Sequence, residues 1–394
     1  MYKDKCVVIG VTGGIAVYKA LDIVSALRKK AVKTKVIMTE SATKFVTPLT
    51  FQSISQNMVV TDMFAEPKAW EIQHISLAQE ADIMLIAPAT ANVIGKVANG
   101  IADDMLTTTI MATKSKVIFA PAMNTNMYEN PIVQENIAKL KKLGYEFIEP
   151  DSGRLACGDI GKGKLPKPEV IVDEVLKILY PKKDLVGKNV LVTAGPTKAK
   201  IDPVRYITNN SSGKMGYAIA TEARDRGANV TLISGAKNIE CPNGIKLINV
   251  ETNSEMREAV LDSFKEADII IKSAAVADYK PKIYSAEKIK KTGDELNISL
   301  VRDNDILLEL GTLKENKILV GFAAESNSLI ENAKKKIEKK NLDFIVANDI
   351  TAKETGFGSD DNKVFIISKE GNINELDTMS KREVAKNIFD IILK

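Results

Sequence analysis

His74, in the stretch IQHISL (72–77), is the only histidine among the 394 residues of the chain. An imidazole has an ordinary pKa of about 6.5, so this side chain could take up and release a proton near neutral pH. A single histidine is, however, more often part of a packed core than of an active site. A catalytic role for His74 therefore depends on the other reactive residues that the fold brings to it.

A glycine-rich turn, VTGGIA (11–16), lies between an apolar run and a helical pattern. The backbone N–H groups of such a turn can bind a phosphate. The turn is not GxGxxG, and no acidic residue at the end of the second apolar run is placed as a dinucleotide ribose requires. That run ends instead at Thr39 and Ser41, and the next one ends at PATAN (88–92). Three small polar loops at one sheet edge favour a mononucleotide such as FMN over NAD, with ordinary tight turns as the alternative interpretation.

Two more loops carry groups that could react. APAMNTNMYENP (120–131) places Asn124 just beyond an apolar run, and GRLACGDIGKGKLP (153–166) places four glycines around Cys157. The glycines suggest a mobile flap rather than a packed turn. A cysteine on such a flap is not packed in the core, so redox or acid–base chemistry is predicted for it. For Asn124, a polar turn with methionine packing is the alternative.

The elements that must position these residues follow an alternating pattern. Apolar runs such as CVVIGVTGG (6–14) and DIMLIAPAT (82–90) alternate with helical patterns, and the alternation restarts after the charged stretch YPKKDLVGKN (180–189). Continuously apolar runs suit strands that are buried on both faces, as in a parallel sheet with helices on either side. The sequence therefore predicts two doubly wound α/β domains, residues 1–180 and 188–394.

An inserted β-hairpin is also predicted in the second domain. The stretch KIKKTGDELNISLV (288–301) has two arms that flank Thr292, Gly293 and Asp294. A short glycine-containing segment between two such arms is typical of a hairpin turn.

The composition narrows the class of protein. The chain is 45% hydrophobic and 27% charged, as in ordinary globular proteins, and 55 basic residues nearly balance 51 acidic ones. This balance does not indicate a nucleic-acid partner. Three distant cysteines make no disulfide framework, no apolar run reaches membrane-spanning length, and no signal peptide is expected. A cytoplasmic protein without a membrane partner is predicted.

Several motifs together resemble a known enzyme family. HISL, PAMNTNMY and GRLACGDIGKGKLP, in this order after VTGGIA, closely resemble the flavin-dependent phosphopantothenoylcysteine decarboxylases. The second half resembles phosphopantothenate–cysteine ligase through DPVRYITNNSSGKMG (202–216), SAAVADY (273–279), EKIKK (287–291), VGFAAES (320–326) and NLDFIVAND (341–349). The two activities are fused in a bacterial family of bifunctional enzymes of coenzyme A synthesis. The resemblance implies a flavodoxin-like flavoprotein domain followed by a second Rossmann-like domain.

For the first half, the resemblance implies FMN-dependent decarboxylation of 4′-phosphopantothenoylcysteine to 4′-phosphopantetheine. By match to the family, Asn124 holds the substrate carboxylate, His74 is the base and Cys157 is the proton donor of the late step. Oxidation of the thiol to a thioaldehyde by the flavin provides an electron sink for the loss of CO2. The residues expected to contact FMN in the three loops are Gly13, Gly14, Ile15, Thr39, Ser41, Thr90, Ala91 and Asn92.

For the second half, the resemblance implies ligation of 4′-phosphopantothenate with cysteine through an acyl-cytidylate, with CTP and Mg²⁺. A triphosphate needs cations and backbone donors. The residues matched to nucleotide contacts are Ser273, Ala274, Ala275, Asp278, Lys288, Asn304, Asp305, Ile306, Phe322, Lys336 and Lys340. Asp278 matches a ribose or metal contact, and Arg205 and Asn209 match residues that handle the acyl intermediate. The family also implies a homo-oligomer, with trimeric decarboxylase contacts and dimeric ligase contacts.

The chain departs from the family pattern at three positions. Tyr128 stands where the decarboxylase motif commonly has Trp, Lys164 where the flap often has Arg, and Asn304 where the ligase has Pro. None of these changes removes a reacting group.

Three other functions fit the sequence less well than this one. A peptidyl-cysteine decarboxylase or a flavin prenyltransferase would account for the first half but leaves residues 189–394 unexplained. A dinucleotide reductase is disfavoured by the missing GxGxxG. A non-enzymatic regulator that binds a phosphatase is disfavoured by the joint presence of His74, Asn124 and Cys157.

Overall fold

A computed structural model describes residues 2–64, 72–156, 158–290, 296–325, 328–349 and 359–394. The chain divides into two units, Met1–Pro181 and Lys182–Lys394. The division falls within the charged stretch that follows the first set of apolar runs.

The first unit contains a parallel sheet and one separate β-hairpin. Its strands are β1 (Cys6–Val11), β2 (Lys33–Met38), β3 (Val59–Val60), β4 (Ile83–Ala89), β5 (Lys116–Pro121), β6 (Glu146–Phe147), β7 (Asp151–Arg154) and β8 (Ile160–Lys164). Its helices are α1 (Val17–Lys29), α2 (Glu40–Thr43), α3 (Pro48–Ser55), α4 (Gln73–Glu80), α5 (Ala91–Ala98), α6 (Met105–Ala112), α7 (Thr125–Glu129), α8 (Pro131–Lys142) and α9 (Pro168–Leu179). Within the described residues, the sheet order is β3-β2-β1-β4-β5-β6, and β7 pairs with β8. Without the two-residue edge strand β3, this is the strand order of flavodoxin-like folds.

Both faces of this sheet are covered, as the continuous apolar runs predicted. Every residue of β1 and β4 is buried. Val7 and Ile9 pack in the cluster formed with α1 and α9, whereas Val8 packs in the cluster formed with α5, α6 and α8. The sheet order reverses between β1 and β4. Ligands of open α/β sheets bind at such a reversal, beyond the carboxyl ends of the strands.

The second unit repeats this architecture with a larger sheet. Its strands are β9 (Asn189–Ala194), β10 (Lys198–Lys200), β11 (Tyr206–Thr208), β12 (Asn229–Ser234), β13 (Ile245–Asn249), β14 (Ile269–Lys272), β15 (Tyr279–Pro281), β16 (Leu300–Arg302), β17 (Ile318–Glu325), β18 (Phe344–Asp349), β19 (Asp361–Ser368) and β20 (Ile373–Ser380). Its helices are α10 (Lys214–Asp225), α11 (Asn253–Phe264), α12 (Ile306–Leu313), α13 (Leu329–Lys340) and α14 (Lys381–Ile392). Within the described residues, the main sheet has the order β13-β12-β9-β14-β17-β18-β19-β20, and its strand pairs are parallel except for β18–β19 and β19–β20. The predicted doubly wound α/β fold is confirmed in both units, and the second order reversal lies between β9 and β14.

The inserted β-ribbon of the second unit starts earlier in the chain than predicted. β16 pairs antiparallel with β15 rather than with residues 288–290. The Ile289 N–H instead donates to Asp202 Oδ2 at 3.2 Å, so this stretch is held by the turn at Asp202 and is not part of a strand ladder. The predicted turn at 292–294 lies outside the described residues.

Candidate active sites in the two units

A hydrogen-bonded threonine joins two loops at the order reversal of the first sheet. Thr12 directly follows β1 and is fully buried. Its Oγ1 donates to the Pro88 carbonyl at 2.7 Å and accepts from the Thr90 N–H at 3.1 Å. The loops after β1 and β4 are therefore fixed next to each other at the sheet edge.

The glycine turn comes equally close to the loop after β2. A Cβ placed on Gly13 would lie 2.3 Å from Ser41 Cβ, so only glycine allows this approach. Gly14 faces more open space, since the nearest atom to an added Cβ is Thr90 Cγ2 at 3.8 Å. The eight predicted flavin contacts lie in these three loops, and all of them are half-buried or exposed. The edge thus forms a cradle of three adjoining loops whose predicted flavin contacts are not buried.

The predicted flap is a β-hairpin that packs against the loop of Asn124. The Met123 N–H donates to the Gly163 carbonyl at 3.0 Å. An added Cβ on Gly163 would lie 2.3 Å from the Met123 carbonyl oxygen, and one on Gly161 would lie 2.6 Å from Thr125 Oγ1. The sequence analysis attributed these glycines to mobility, but at 161 and 163 close packing requires them.

Asn124 contacts this hairpin directly. Its Oδ1 accepts from the Asn126 N–H at 2.8 Å and caps α7, while its Nδ2 donates to Asp159 Oδ2 at 2.8 Å. Asp159 precedes β8, and the neighbouring Cys157 lies outside the described residues. The amide of Asn124 can therefore donate to a carboxylate, which is the function predicted for it.

His74 is the second residue of α4 and is half-buried. It lies one turn before Ala78, which is buried together with Leu77 in the core of the first unit. Its side chain forms no hydrogen bond with another described residue. Its predicted role as a base stays a prediction.

An ion cluster that the sequence analysis missed connects α7 with the hairpin. The Tyr128 hydroxyl donates to Glu149 Oε2 at 2.9 Å, and Lys162 Nζ lies 2.8 Å from the same oxygen and 5.4 Å from the centre of the Tyr128 ring. Burial acts to raise the pKa of Glu149, but its bonds from Lys141, Lys162 and Tyr128 lower that pKa to about 2. Burial and the Glu149 carboxylate raise the pKa of Tyr128 above its ordinary value. The only sequence signal was the tyrosine at a position that is commonly Trp.

The second unit has a cavity of about 450 Å³ at the order reversal of its sheet. Its lining includes most of the residues that were matched to nucleotide contacts, namely Ser273, Ala274, Ala275, Asp278, Asn304, Asp305, Ile306, Phe322, Lys336 and Lys340. Asn209 also lines it. Segments that lie far apart in the sequence thus form one site.

Hydrogen bonds fix the polar side of this cavity. Asp305 accepts from the Leu308 N–H at 3.1 Å, where it caps α12, and its Oδ2 lies 2.8 Å from Lys340 Nζ. Burial acts to raise the pKa of Asp305, but these contacts lower it below its ordinary value. Asn209 Nδ2 donates to the Val276 carbonyl at 2.8 Å and to the Ala275 carbonyl at 3.2 Å. Asn209 is thereby held against the segment that follows β14.

Two predicted ligase residues are not brought to this lining. Arg205 Nη1 bonds to Asp202 Oδ2 at 3.0 Å and to the Ile289 carbonyl at 3.2 Å, and the adjacent Lys288 is exposed. The two residues form a separate corner, because the buried carboxylate of Asp202 binds both segments. Among the described residues, no group of three or more His, Cys, Asp or Glu side chains could hold a metal ion.

Three lysines that the sequence analysis did not single out also line the cavity. They are Lys214 at the start of α10, Lys272 at the end of β14 and Lys381 at the start of α14. For Lys272 a signal was available, since this charged residue directly follows the apolar run III (269–271) within one strand.

Comparisons with known proteins agree with the two-unit structure. The model of the Flavoprotein family matches residues 1–180, and that of the DNA/pantothenate metabolism flavoprotein C-terminal domain matches residues 185–394. The chain is 50% identical to the coenzyme A biosynthesis bifunctional protein CoaBC of Bacillus subtilis (strain 168), with 100% of this chain and 97% of that protein covered. The chain belongs to this family. It is also 47% identical to the CoaBC protein of Borreliella burgdorferi, with both chains covered completely.

Membership of the CoaBC family confirms the predicted family and, with it, an enzyme of coenzyme A synthesis that joins a decarboxylase to a ligase. A crystal structure of the C-terminal domain of a CoaBC protein is 43% identical to this chain, covers 54% of this chain and 96% of its own, and superimposes with a TM-score of 0.47. Among the described residues, no helix has the length and apolar character needed to cross a membrane.

Proposed function

We propose that the first unit decarboxylates 4′-phosphopantothenoylcysteine with FMN and that the second unit makes this substrate from 4′-phosphopantothenate, cysteine and CTP. The observation that carries the proposal is the cavity of the second unit, whose lining contains ten of the eleven residues matched to nucleotide contacts. The domain limits 1–180 and 188–394, the cytoplasmic location and the homo-oligomer are part of the same proposal.

The cradle of the first unit fits the phosphate and ribityl chain of FMN. Gly13 allows the close approach of the loops after β1 and β2, and Gly14 leaves space beside Thr90 of the loop after β4. Bound FMN supplies the two-electron redox chemistry that makes loss of CO2 possible. The protein's contribution is to hold the substrate, to remove a proton through His74 and to return one through Cys157.

Asn124 is the proposed ligand of the substrate carboxylate. Its Nδ2 already donates to the carboxylate of Asp159 at 2.8 Å. A substrate carboxylate can replace that of Asp159 on the same donor, because the two groups have the same charge and hydrogen-bonding geometry. The exchange would couple substrate binding to the hairpin that carries Asp159.

In the second unit, the proposed reaction has two steps. A carboxylate oxygen of 4′-phosphopantothenate bonds to the α-phosphorus of CTP, and pyrophosphate leaves. The amine of cysteine then bonds to the acyl carbon, loses a proton and displaces CMP. Lys336 and Lys340 neutralise phosphate charge, and Asp278 would hold Mg²⁺ together with phosphate oxygens, which are the ligands that this ion prefers.

The proposed roles of Arg205 and Lys288 require that the two segments joined by Asp202 contact the bound substrate. The Arg205 guanidinium and the backbone of Ile289 share the Asp202 carboxylate, so a movement of one segment would carry the other.

Changing Lys288 to Gln is expected to slow ligation about tenfold or more, equivalent to about 1.4 kcal/mol, and to leave decarboxylation unchanged. Unchanged ligation would show that this charge is only part of the solvated surface.

The proposal is tested with the full-length protein supplied with 4′-phosphopantothenate, cysteine, Mg²⁺ and either CTP or ATP. We expect CMP, pyrophosphate, CO2 and 4′-phosphopantetheine with CTP, and much less product with ATP. Supplied 4′-phosphopantothenoylcysteine should lose CO2 without any nucleotide. Product formation that needs no nucleotide at the ligation step would contradict the role of the second unit.

The role of His74 is tested by changing it to Asn, which keeps a similar size and some hydrogen bonding but removes the base. We expect the variant to keep its flavin and to release almost no CO2 under anaerobic conditions, with the flavin remaining oxidised. Normal turnover would show that His74 is a structural residue.

A further inference from the structure

Lys272 is a buried cation in the ligase cavity that has no ion-pair partner among the described residues. It ends β14, between Thr193 of β9 and Gly321 of β17, and its residue is only 7% exposed. It lines the cavity, yet it forms no ion pair or hydrogen bond with another described residue. Its neighbours Lys214 and Lys340 differ, because they pair with Asp360 at 2.7 Å and with Asp305 at 2.8 Å.

The cavity around Lys272 is strongly positive. Among the described residues, five lysines and two aspartates line it. The charged groups that act on Lys272 are Lys340 on α13, Asp305 at the start of α12 and Asp278 after β14, while its strand neighbours are uncharged. Burial, with a smaller contribution from Lys340, lowers the pKa of Lys272 to about 8. An unpaired buried ammonium is unfavourable, so the free protein is destabilised where Lys272 is charged.

We propose that Lys272 binds the polyphosphate of the nucleotide and supplies a cation beyond those in the family-matched set. The inference depends on the proposed function, because it assumes that the cavity takes CTP. A multiply charged anion fits this position, since it would meet the ammonium groups of both Lys272 and Lys340 and replace the missing counter-charge. The charged Lys272 therefore lowers the stability of the free protein and raises the stability of the complex with the nucleotide.

Removal of the charge at Lys272 should therefore stabilise the free protein and weaken its binding of polyphosphate. Lys272→Met removes the buried charge and keeps an apolar stem, so the free protein should have a higher Tm. The same variant should bind CTP and inorganic tripolyphosphate about tenfold more weakly or worse, as expected for a lost charge-assisted hydrogen bond. A lysine with a purely structural role would lower the Tm when removed and leave binding unchanged.

The pH dependence provides a second readout. The pKa of Lys272 in the folded protein lies below its ordinary value of about 10.4, so the unfolded chain binds more protons between about pH 8 and pH 10.4. Stability in the wild type should therefore rise with pH over this window, and affinity for tripolyphosphate should fall. Lys272→Arg keeps its charge throughout, so its affinity should stay nearly constant across the same window.

The experiment measures Tm and calorimetric binding of CTP, tripolyphosphate and 4′-phosphopantothenate by the full-length wild type, Lys272→Met and Lys272→Arg. Lys335→Gln is the matched control, because this lysine is on the surface of α13 and pairs with Glu331. If Lys272→Met does not fold, the comparison of Lys272→Arg with the wild type across pH decides the question.

Four results would overturn the inference. Unchanged tripolyphosphate binding by Lys272→Met would overturn the inference about Lys272 but not the proposed nucleotide site. Equal pH dependence of binding by Lys272→Arg and the wild type would have the same consequence. If Lys272→Met weakens only the binding of 4′-phosphopantothenate, Lys272 contacts that substrate and not the nucleotide. A wild type that binds neither CTP nor tripolyphosphate would overturn the proposed nucleotide site as well.

Discussion

Individual residues in the two sites are constrained by contacts that their neighbours in sequence do not reveal. Gly13 and Gly14 are adjacent and chemically identical, but only Gly13 lies so close to another loop that a side chain would overlap it. Lys272 and Lys340 both line one cavity, but only Lys340 pairs with an aspartate. The residue type therefore sets the interactions that a group is able to make, while the folded structure decides which of these interactions it makes.

Changing Gly13 to Ala tests the close approach of the loops after β1 and β2. The new methyl group would overlap Ser41 Cβ, which lies 2.3 Å away, and we expect a loss of about 1–3 kcal/mol in the free energy of unfolding. Gly14→Ala is the matched control, since its methyl group would meet no atom nearer than 3.8 Å. The measurement is denaturant unfolding of the flavin-free protein. Equal losses in both variants would show that packing at Ser41 is not the cause.

At the scale of elements, the hairpin β7–β8 is held to the sheet by polar contacts. Met123 binds its backbone, Asn124 binds Asp159, and the Glu149 cluster binds Lys162. These contacts place the hairpin beside α7. The residues proposed to hold and protonate the substrate are thus on two elements joined by the same hydrogen bonds.

Changing Glu149 to Gln should weaken the connection between α7 and the hairpin. The pKa of Glu149 is about 2, below its ordinary value of about 4.3, so its contribution to stability is present above about pH 4.3 and is lost as the pH falls towards 2. We expect the variant to lose stability at neutral pH and to show a shallower decline below pH 4.3. Glu146→Gln is the control, because the Glu146–Lys116 pair is exposed. Acid titration of Tm provides the measurement, and parallel curves for wild type and Glu149→Gln would contradict the role of the cluster.

At the scale of the whole molecule, the two units use the same architecture for different chemistry. Each has a mostly parallel sheet whose order reverses next to its first strand, and each presents its candidate site at that reversal. The second unit is also stabilised by a buried ion cluster. Arg226 is fully buried and bonds to Glu222 at 2.7 Å, to Asp390 at 2.7 Å and to Asp184 at 3.1 Å.

Changing Arg226 to Met tests whether the two proposed activities are separable. Loss of one partner of a buried ion pair costs about 3–5 kcal/mol, so the second unit should unfold at a lower temperature and ligation should fail first. Decarboxylation of supplied 4′-phosphopantothenoylcysteine should continue at temperatures where ligation has stopped. Lys363→Met, which removes the exposed pair with Glu375, should change stability by about 1 kcal/mol or less. Simultaneous loss of both activities in Arg226→Met would contradict the division of function between the units.

The sequence by itself determined the fold class, the continuously apolar parallel strands of both sheets and the loops that form the candidate sites, but it did not indicate the edge strands β3, β19 and β20. Buried parallel strands are continuously apolar, and their connections are rich in glycine, so both features are local and visible in the chain. Tertiary structure alone decided which loops meet, because contacts between segments such as 273–278 and 304–306 leave no periodic signal in the sequence. It also placed Lys288 outside the cavity lining, paired β16 with β15, and left Lys272 buried beside the site without an ion-pair partner in the described part of the chain. Burial and charge pairing depend on residues far apart in the chain, and only folding brings those residues together.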